Sequence, residues 1–179
     1  MIDGMIVYYS RTGTVRQVAE ALAAQLGWPL TEVVDEHSRA GFGGDLRCVL
    51  DILLRRPARY RLSGPAPAPC RHVVILAPVW LGRLAAPMHS FLADHAAMLS
   101  QAEQLSAICV MAARGGDRAM TEVHQLTGKR PTPSLVLLQR DVLSGATTVD
   151  IDYFAQTLRL ADPDMASTHR PAWLSPNAT

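Results

Sequence analysis

The apolar segment Ile6-Val7-Tyr8-Tyr9 runs without a break into Ser10-Arg11-Thr12-Gly13-Thr14 and then into Val15 to Leu26, so a strand empties through a hydroxyl-rich turn into a helix. Val15, Val18, Ala19, Leu22 and Leu26 share one face of that helix, and Gly27 ends it. Where such strands alternate with helices along a chain, the connections are crossovers and the sheet is parallel. The turn is also suited to an anion. The first amides of a helix lack intrahelical acceptors, and the helix dipole leaves about half a positive charge there. Ser10, Thr12 and Thr14 add hydroxyl donors, and Gly13 lets the backbone come close. The same residues also suit an ordinary N-capped helix with no ligand, so the corner alone leaves both readings open.

Later segments repeat the alternation. Leu30 to Val34 reads as a second strand, less apolar and suited to a sheet edge. His72 to Ala77 is a nearly continuous apolar run, as expected for a third strand buried on both faces. It breaks at Pro78-Val79-Trp80-Leu81-Gly82-Arg83, and a helix follows from Ala85 to about Leu99 with Pro87 in its first turn. Leu105 to Ala112 and Pro133 to Gln139 give a fourth and a fifth strand, with helices at Ala119 to Leu126 and Asp152 to Leu160. Asp45 to Arg55 is amphipathic at helical spacing and is prefaced by the glycine-rich Ser38 to Gly44. Pro57 to Pro69 contains the proline-rich stretch Gly64 to Pro69, which reads as an extended connector because its prolines cannot donate to a ladder. These elements predict an α/β fold, a three-layer, doubly wound, five-stranded parallel sheet, in one domain over residues 1–160 with an irregular tail over 161–179.

Composition narrows the function classes. With a formal net charge of +1 the chain has no broad field to recruit nucleic acid. It has no apolar run near the roughly 20 residues that span a bilayer and no signal-peptide pattern, so a cytoplasmic location is expected. Cys48, Cys70 and Cys109 have no metal-type spacing, and the six histidines are scattered singly, so no metal is assigned.

The turn Ser10-Arg11-Thr12-Gly13-Thr14-Val15 resembles the phosphate loop of the flavodoxin-like FMN proteins, which reads Ser/Thr, any residue, Thr, Gly, any residue, Thr. Val15 stands where the family has its closing Thr, and Thr14 offers a hydroxyl from the next position. Pro78-Val79-Trp80-Leu81-Gly82-Arg83 resembles the loop that flanks the isoalloxazine ring in flavodoxin-like reductases. Trp80 can supply the apolar wall a tricyclic ring needs, or can merely cover the sheet end or a subunit contact. Ala113-Arg114-Gly115-Gly116-Asp117 falls where the family's third flavin loop lies, with Arg114 either near the ring edge that gains charge on reduction or a solvated cation beside an N-capping Asp117. The resemblance implies the strand order 2-1-3-4-5. Flavodoxin is itself the type example of FMN bound between strands one and three of that order.

From the resemblance we expect an FMN-dependent oxidoreductase that takes a hydride from NAD(P)H and reduces a quinone or similar small acceptor. Ser10, Arg11, Thr12, Gly13, Thr14 and Val15 would hold the phosphate. Pro78, Val79, Trp80, Leu81 and Gly82 would bracket the ring, and Ala113, Arg114, Gly115 and Gly116 would meet its edge. No side chain is assigned as a catalytic acid, since hydride transfer can proceed by positioning. The alternatives are a one-electron carrier docking on a redox partner protein and an interaction module without FMN. The near-neutral charge tilts against a carrier, and a homodimer is compatible with the family.

Overall fold

The computed structural model describes residues 4–36 and 57–161. The expected helix at Asp45 to Arg55, the loop at Ser38 to Gly44, Cys48 and residues 162–179 lie outside the described residues.

Chain order among the described residues is β1 (Gly4–Tyr8), α1 (Thr14–Leu26), β2 (Leu30–Asp35), β3 (Tyr60–Ser63), β4 (His72–Trp80), β5 (Arg83–Leu84), α2 (Ala86–Asp94), α3 (Ala96–Gln101), β6 (Gln104–Met111), α4 (Gly116–Thr127), β7 (Ser134–Leu138), α5 (Gln139–Leu143) and α6 (Thr148–Ala161). The sheet runs β3-β2-β1-β4-β6-β7, with β5 paired to β4. The five strands read from the sequence are β1, β2, β4, β6 and β7. They stand in the expected order 2-1-3-4-5 and all pair in parallel.

Two strands were not anticipated. β3 pairs antiparallel with β2, Glu32 opposite Ser63 and Asp35 opposite Tyr60, so β2 is not the edge it was expected to be. The edge strand ends at Ser63, just before the proline-rich stretch, where missing amides would cost ladder bonds. The connector expected at Gly64 to Pro69 follows the strand directly, and the four residues before it had been assigned no element. The second addition is β5, formed because β4 does not stop at Ala77 but carries on to Trp80 and folds back in a hairpin.

Side chains of period two split the core into two layers. Met5, Val7, Tyr9, Val73, Ile75, Ala77 and Val79 face α2, α3 and α4, where Met88, Phe91, Leu92, Leu99, Ala119 and Val123 pack on them. Ile6, Tyr8, Val74, Leu76, Ile108 and Val110 face α1 and α6, meeting Val15, Val18, Leu22, Leu26, Ile151, Phe154 and Leu158. All five apolar positions expected on the inner face of α1 are buried. The stretch expected as one helix to Leu99 is two, α2 and α3, joined at His95.

One polar cluster pins the hairpin to this frame. Glu122 on α4 accepts hydrogen bonds from the Leu84 amide at 3.1 Å and from Nδ1 of His89 on α2 at 2.7 Å. Burial opposes its charge, but the hydrogen bonds from His89 and Leu84 and the nearby charges of His89 and Arg83 outweigh that and hold the carboxyl below its ordinary value of 4.5. The stability this adds is present in full above the unfolded value and drains away as the pH falls through the lower folded one. Chemical denaturation followed across about pH 5 to pH 3 should therefore show wild type losing more stability than Glu122→Gln. Phe91 is fully buried between α2 and the sheet, and Phe91→Ala should lower the unfolding free energy by about 3–5 kcal/mol in the same assay.

Candidate functional site at the carboxyl end of the sheet

Parallel pairing of β1 with β4, Gly4 opposite His72 through Tyr8 opposite Leu76, brings the loops after these two strands side by side. The loop after β1 ends at Gly13, which caps α1 with φ 87° and with open space where a Cβ would stand. Ser10 Oγ accepts the Arg16 amide at 3.1 Å, and the hydroxyls of Thr12 and Thr14 lie 3.3 Å apart. The first intrahelical bond runs from the Gln17 amide to the Gly13 carbonyl, so the Thr14 and Val15 amides have no intrahelical acceptor. A recess of about 40 Å³ opens here, lined by Ser10 and Thr12 from this loop, by Thr14 and Val15 from the start of α1, by Pro78 and Val79 from β4, and by Gln139. That is several times the roughly 10–15 Å³ a single water needs. Val15 is 2% exposed and packs in the α1–α6 layer. Its apolar side chain thus serves the core.

The loop at Trp80 is a two-residue hairpin turn. Val79 pairs with Leu84 and Trp80 with Arg83, leaving Leu81 and Gly82 at the tip with φ 52° and 75°. Positive φ at both tip residues matches the twist of a tight hairpin. At Leu81 it costs about 1–2 kcal/mol, and this leucine is 65% exposed beside the site. A Cβ on Gly115, at φ 105°, would stand 2.3 Å from the Cα of Gly82. The hairpin and the loop after β6 therefore touch backbone to backbone, a contact that needs glycine at 115, whereas at Gly82 it is the positive φ that favours glycine.

Between these loops lies a cavity of about 1110 Å³. Arg11 and Thr12 line it from the first loop, Val79, Trp80, Leu81 and Gly82 from the hairpin, and Ala113, Arg114 and Gly115 from the third loop. It shares Arg11, Thr12, Val79, Trp80 and Ala112 with the small recess, so the two adjoin. Trp80 meets the ring of Tyr9 edge-on at 6.4 Å, and the guanidinium of Arg11 sits 5.8 Å from the centre of its indole. Arg16, the other cation of the first loop and helix, is turned to Glu32 at 2.5 Å. The partnership with Glu32 and Tyr8 raises its already high pKa.

Two of the expected residues line neither space. Gly13 shapes the turn, and a Cβ on Gly116 would stand 2.4 Å from Cγ1 of Val136, so Gly116 is required by packing of α4 on β7. Asp117 does not cap α4; Gly115 does, and Asp117 lies in the first turn and lines the larger cavity. Arg118 and Gln139 line the cavities without having been anticipated. Arg118 reads as a solvated helix charge, and Gln139 opens a five-residue helix that no glycine or hydroxyl signature announces.

Among the described residues no group of three His, Cys, Asp or Glu is placed to hold a metal ion, and no helix is long and apolar enough to cross a membrane.

No family model matches the chain, and no curated protein sequence matches it. Solved structures do. A flavoprotein from Lactobacillus acidophilus NCFM in complex with FMN superposes with a TM-score of 0.63 at 16% identity, over 80% of this chain and 98% of that one. The apo form of the flavoprotein from the same organism gives 0.57 at 14% identity, over 76% and 92%. A candidate flavoprotein from Bacteroides uniformis ATCC 8492 gives 0.65 at 13% identity, over 82% and 98%. With the strand order 2-1-3-4-5 and three loops converging at the carboxyl ends of its strands, the chain has the flavodoxin-like fold.

Proposed function

We propose that the joined cavities bind FMN and that the protein is an FMN-dependent oxidoreductase, taking a hydride from NADH or NADPH and reducing a quinone or similar small acceptor. The observation that carries this reading is the junction of a recess at the start of α1 with a larger, indole-walled cavity at the switch point between β1 and β4. The residues fit the group. Amides of Thr14 and Val15 and hydroxyls of Ser10, Thr12 and Thr14 provide hydrogen-bonding groups around a phosphate, and the dipole of α1 favours its charge. A flavoprotein of the same fold has been crystallised with FMN, which supports the choice of ligand by analogy of fold.

When bound, FMN supplies the two-electron redox chemistry. The chain's own residues bind, orient and tune. Trp80 presents an apolar face and, held edge-on by Tyr9 and spanned by the hairpin ladder, has little freedom to swing. Backbone contact of Gly82 with Gly115 closes the wall between the second and third loops. Arg11, Arg114 and Arg118 line the larger cavity against Asp117 alone among the acids of its described lining. This cationic surround stabilises negative charge gained on reduction, which favours an enzyme over a low-potential carrier.

Purified protein should quench the fluorescence of added FMN with a saturable, one-to-one curve, and the loaded protein should oxidise NADH or NADPH. Protein that leaves FMN fluorescence unchanged would contradict the reading. Trp80→Ala should weaken FMN binding by about tenfold, ~1.4 kcal/mol, with the fold intact by circular dichroism.

A further inference from the structure

The larger cavity has two ends. Toward the start of α1 it adjoins the small recess, through Arg11, Thr12, Val79, Trp80 and Ala112. At the other end it adjoins a second cavity, of about 430 Å³, through Leu81, Gly82, Asp117 and Arg118. No residue belongs to both sets, so a ligand with its phosphate in the recess and its ring at Trp80 takes the first end and leaves the second for another molecule. The volume agrees: about 1110 Å³ exceeds the roughly 300–1,000 Å³ of a site for one small molecule.

Two side chains at that second end have no task in the core. Leu81 stands at φ 52°, is 65% exposed and belongs to neither core layer, so the chain bears left-handed strain there without burial in return. Glycine or asparagine would adopt the same turn at less cost. Arg118 lies against the turn: its Cδ is 3.5 Å from the point where a Cβ on Gly82 would stand. Among the described residues Arg118 has no ion-pair partner. Asp117 sits in the first turn of α4, where the helix dipole already favours its negative charge. An apolar side chain and a guanidinium thus line the same end of one cavity.

We propose that this end receives the electron acceptor, and that the acceptor is a small planar quinone carrying an acid group, its ring against Leu81 and its carboxylate or sulfonate on Arg118. The inference rests on the redox reading of the larger cavity and narrows its substrate class. Ring and acid group lie within that one cavity, so no part of the acceptor has to cross the turn. Leu81 acts through apolar area, which any aromatic ring can use, and Arg118 through a charge-assisted hydrogen bond, which the acid group accepts. A neutral quinone makes only the first contact. The reaction is the one proposed above: the quinone gains a hydride and one proton from water and becomes a hydroquinone.

Binding is read first, without turnover. Oxidised, FMN-loaded protein is titrated by calorimetry with naphthalene-2-sulfonate and with 2-naphthol, which share a ring and differ in charge. Wild type should bind the sulfonate about tenfold more tightly. Arg118→Gln should bring the two dissociation constants close together, and Arg118→Lys should restore part of the difference. Leu81→Asn should weaken both probes alike, by about fivefold, while raising the unfolding temperature as the strain is relieved. Equal affinities in wild type, a ratio unmoved by Arg118→Gln, or binding indifferent to Leu81→Asn overturns the proposal.

The same ratio is then read in the reaction. FMN-loaded protein reduced with one equivalent of dithionite is reoxidised by 1,4-naphthoquinone-2-sulfonate and by 1,4-naphthoquinone, and the ratio of the two rates should fall by about tenfold in Arg118→Gln. A variant that alters reduction by NADH or NADPH and leaves this ratio in place would assign the guanidinium to phosphates of the electron donor, and overturns the proposal. Wild type that does not quench FMN sinks the redox reading and this inference with it, whereas normal quenching with an unmoved ratio sinks the inference alone.

Discussion

The parallel ladder between β1 and β4 is what the carboxyl end of this molecule depends on. These strands are neighbours in the sheet but are separated in sequence by α1, β2 and β3, so the chain goes out in one direction from β1 and must return past it. Helices cannot fill the place where the winding reverses, and a crevice stays open above the strand ends. Register then decides which residues meet there. Tyr8 opposite Leu76 sets the Ser10–Gly13 turn beside the segment from Pro78 to Trp80, and a slip of one residue would turn Trp80 to the other face.

How far this was legible in the sequence follows from which signals are local. The strand–turn–helix at Ile6 to Leu26 carries its whole explanation within about twenty residues, through alternating apolar positions, a glycine of positive φ and a helix face, and it stands as read. Long apolar runs marked β4, β6 and β7 for the same reason. What escaped is non-local. β3 is four residues long, with a ladder explained by β2 rather than by its own composition. The hairpin at Leu81 was hidden because leucine is a poor signal for a left-handed turn, and only the pairing of Trp80 with Arg83 and the contact of Gly82 with Gly115 account for it. Arg118 belongs to a helix whose periodicity says only that its side chain avoids the core, and Gln139 reads as the end of the fifth strand where a short helix in fact begins.

Packing and ligand demands also divide cleanly at single positions. Val15, which departs from the expected hydroxyl pattern, is claimed by the core between α1 and α6, so under the proposed reading a phosphate would meet backbone amides and the hydroxyls of Ser10, Thr12 and Thr14. Gly116 is fixed by the packing of Val136, whereas Gly115 is fixed by the backbone of Gly82, and Gly82 by its own positive φ, and the two shape the cavity wall. Leu81 carries backbone strain with no compensating burial, and Glu122 holds the strand that flanks it. Strain kept in place by a charged anchor is expected where a loop has to present a surface rather than bury one.

The central claim is that the ligand is held chiefly by its phosphate at the start of α1, with the ring reaching across to Trp80. Comparing FMN with riboflavin, which has the same ring and no phosphate, isolates that contribution. Equilibrium titrations followed by fluorescence should give a dissociation constant for riboflavin at least about 100-fold weaker than for FMN, as expected for several charge-assisted hydrogen bonds. Equal affinities for the two would contradict the account.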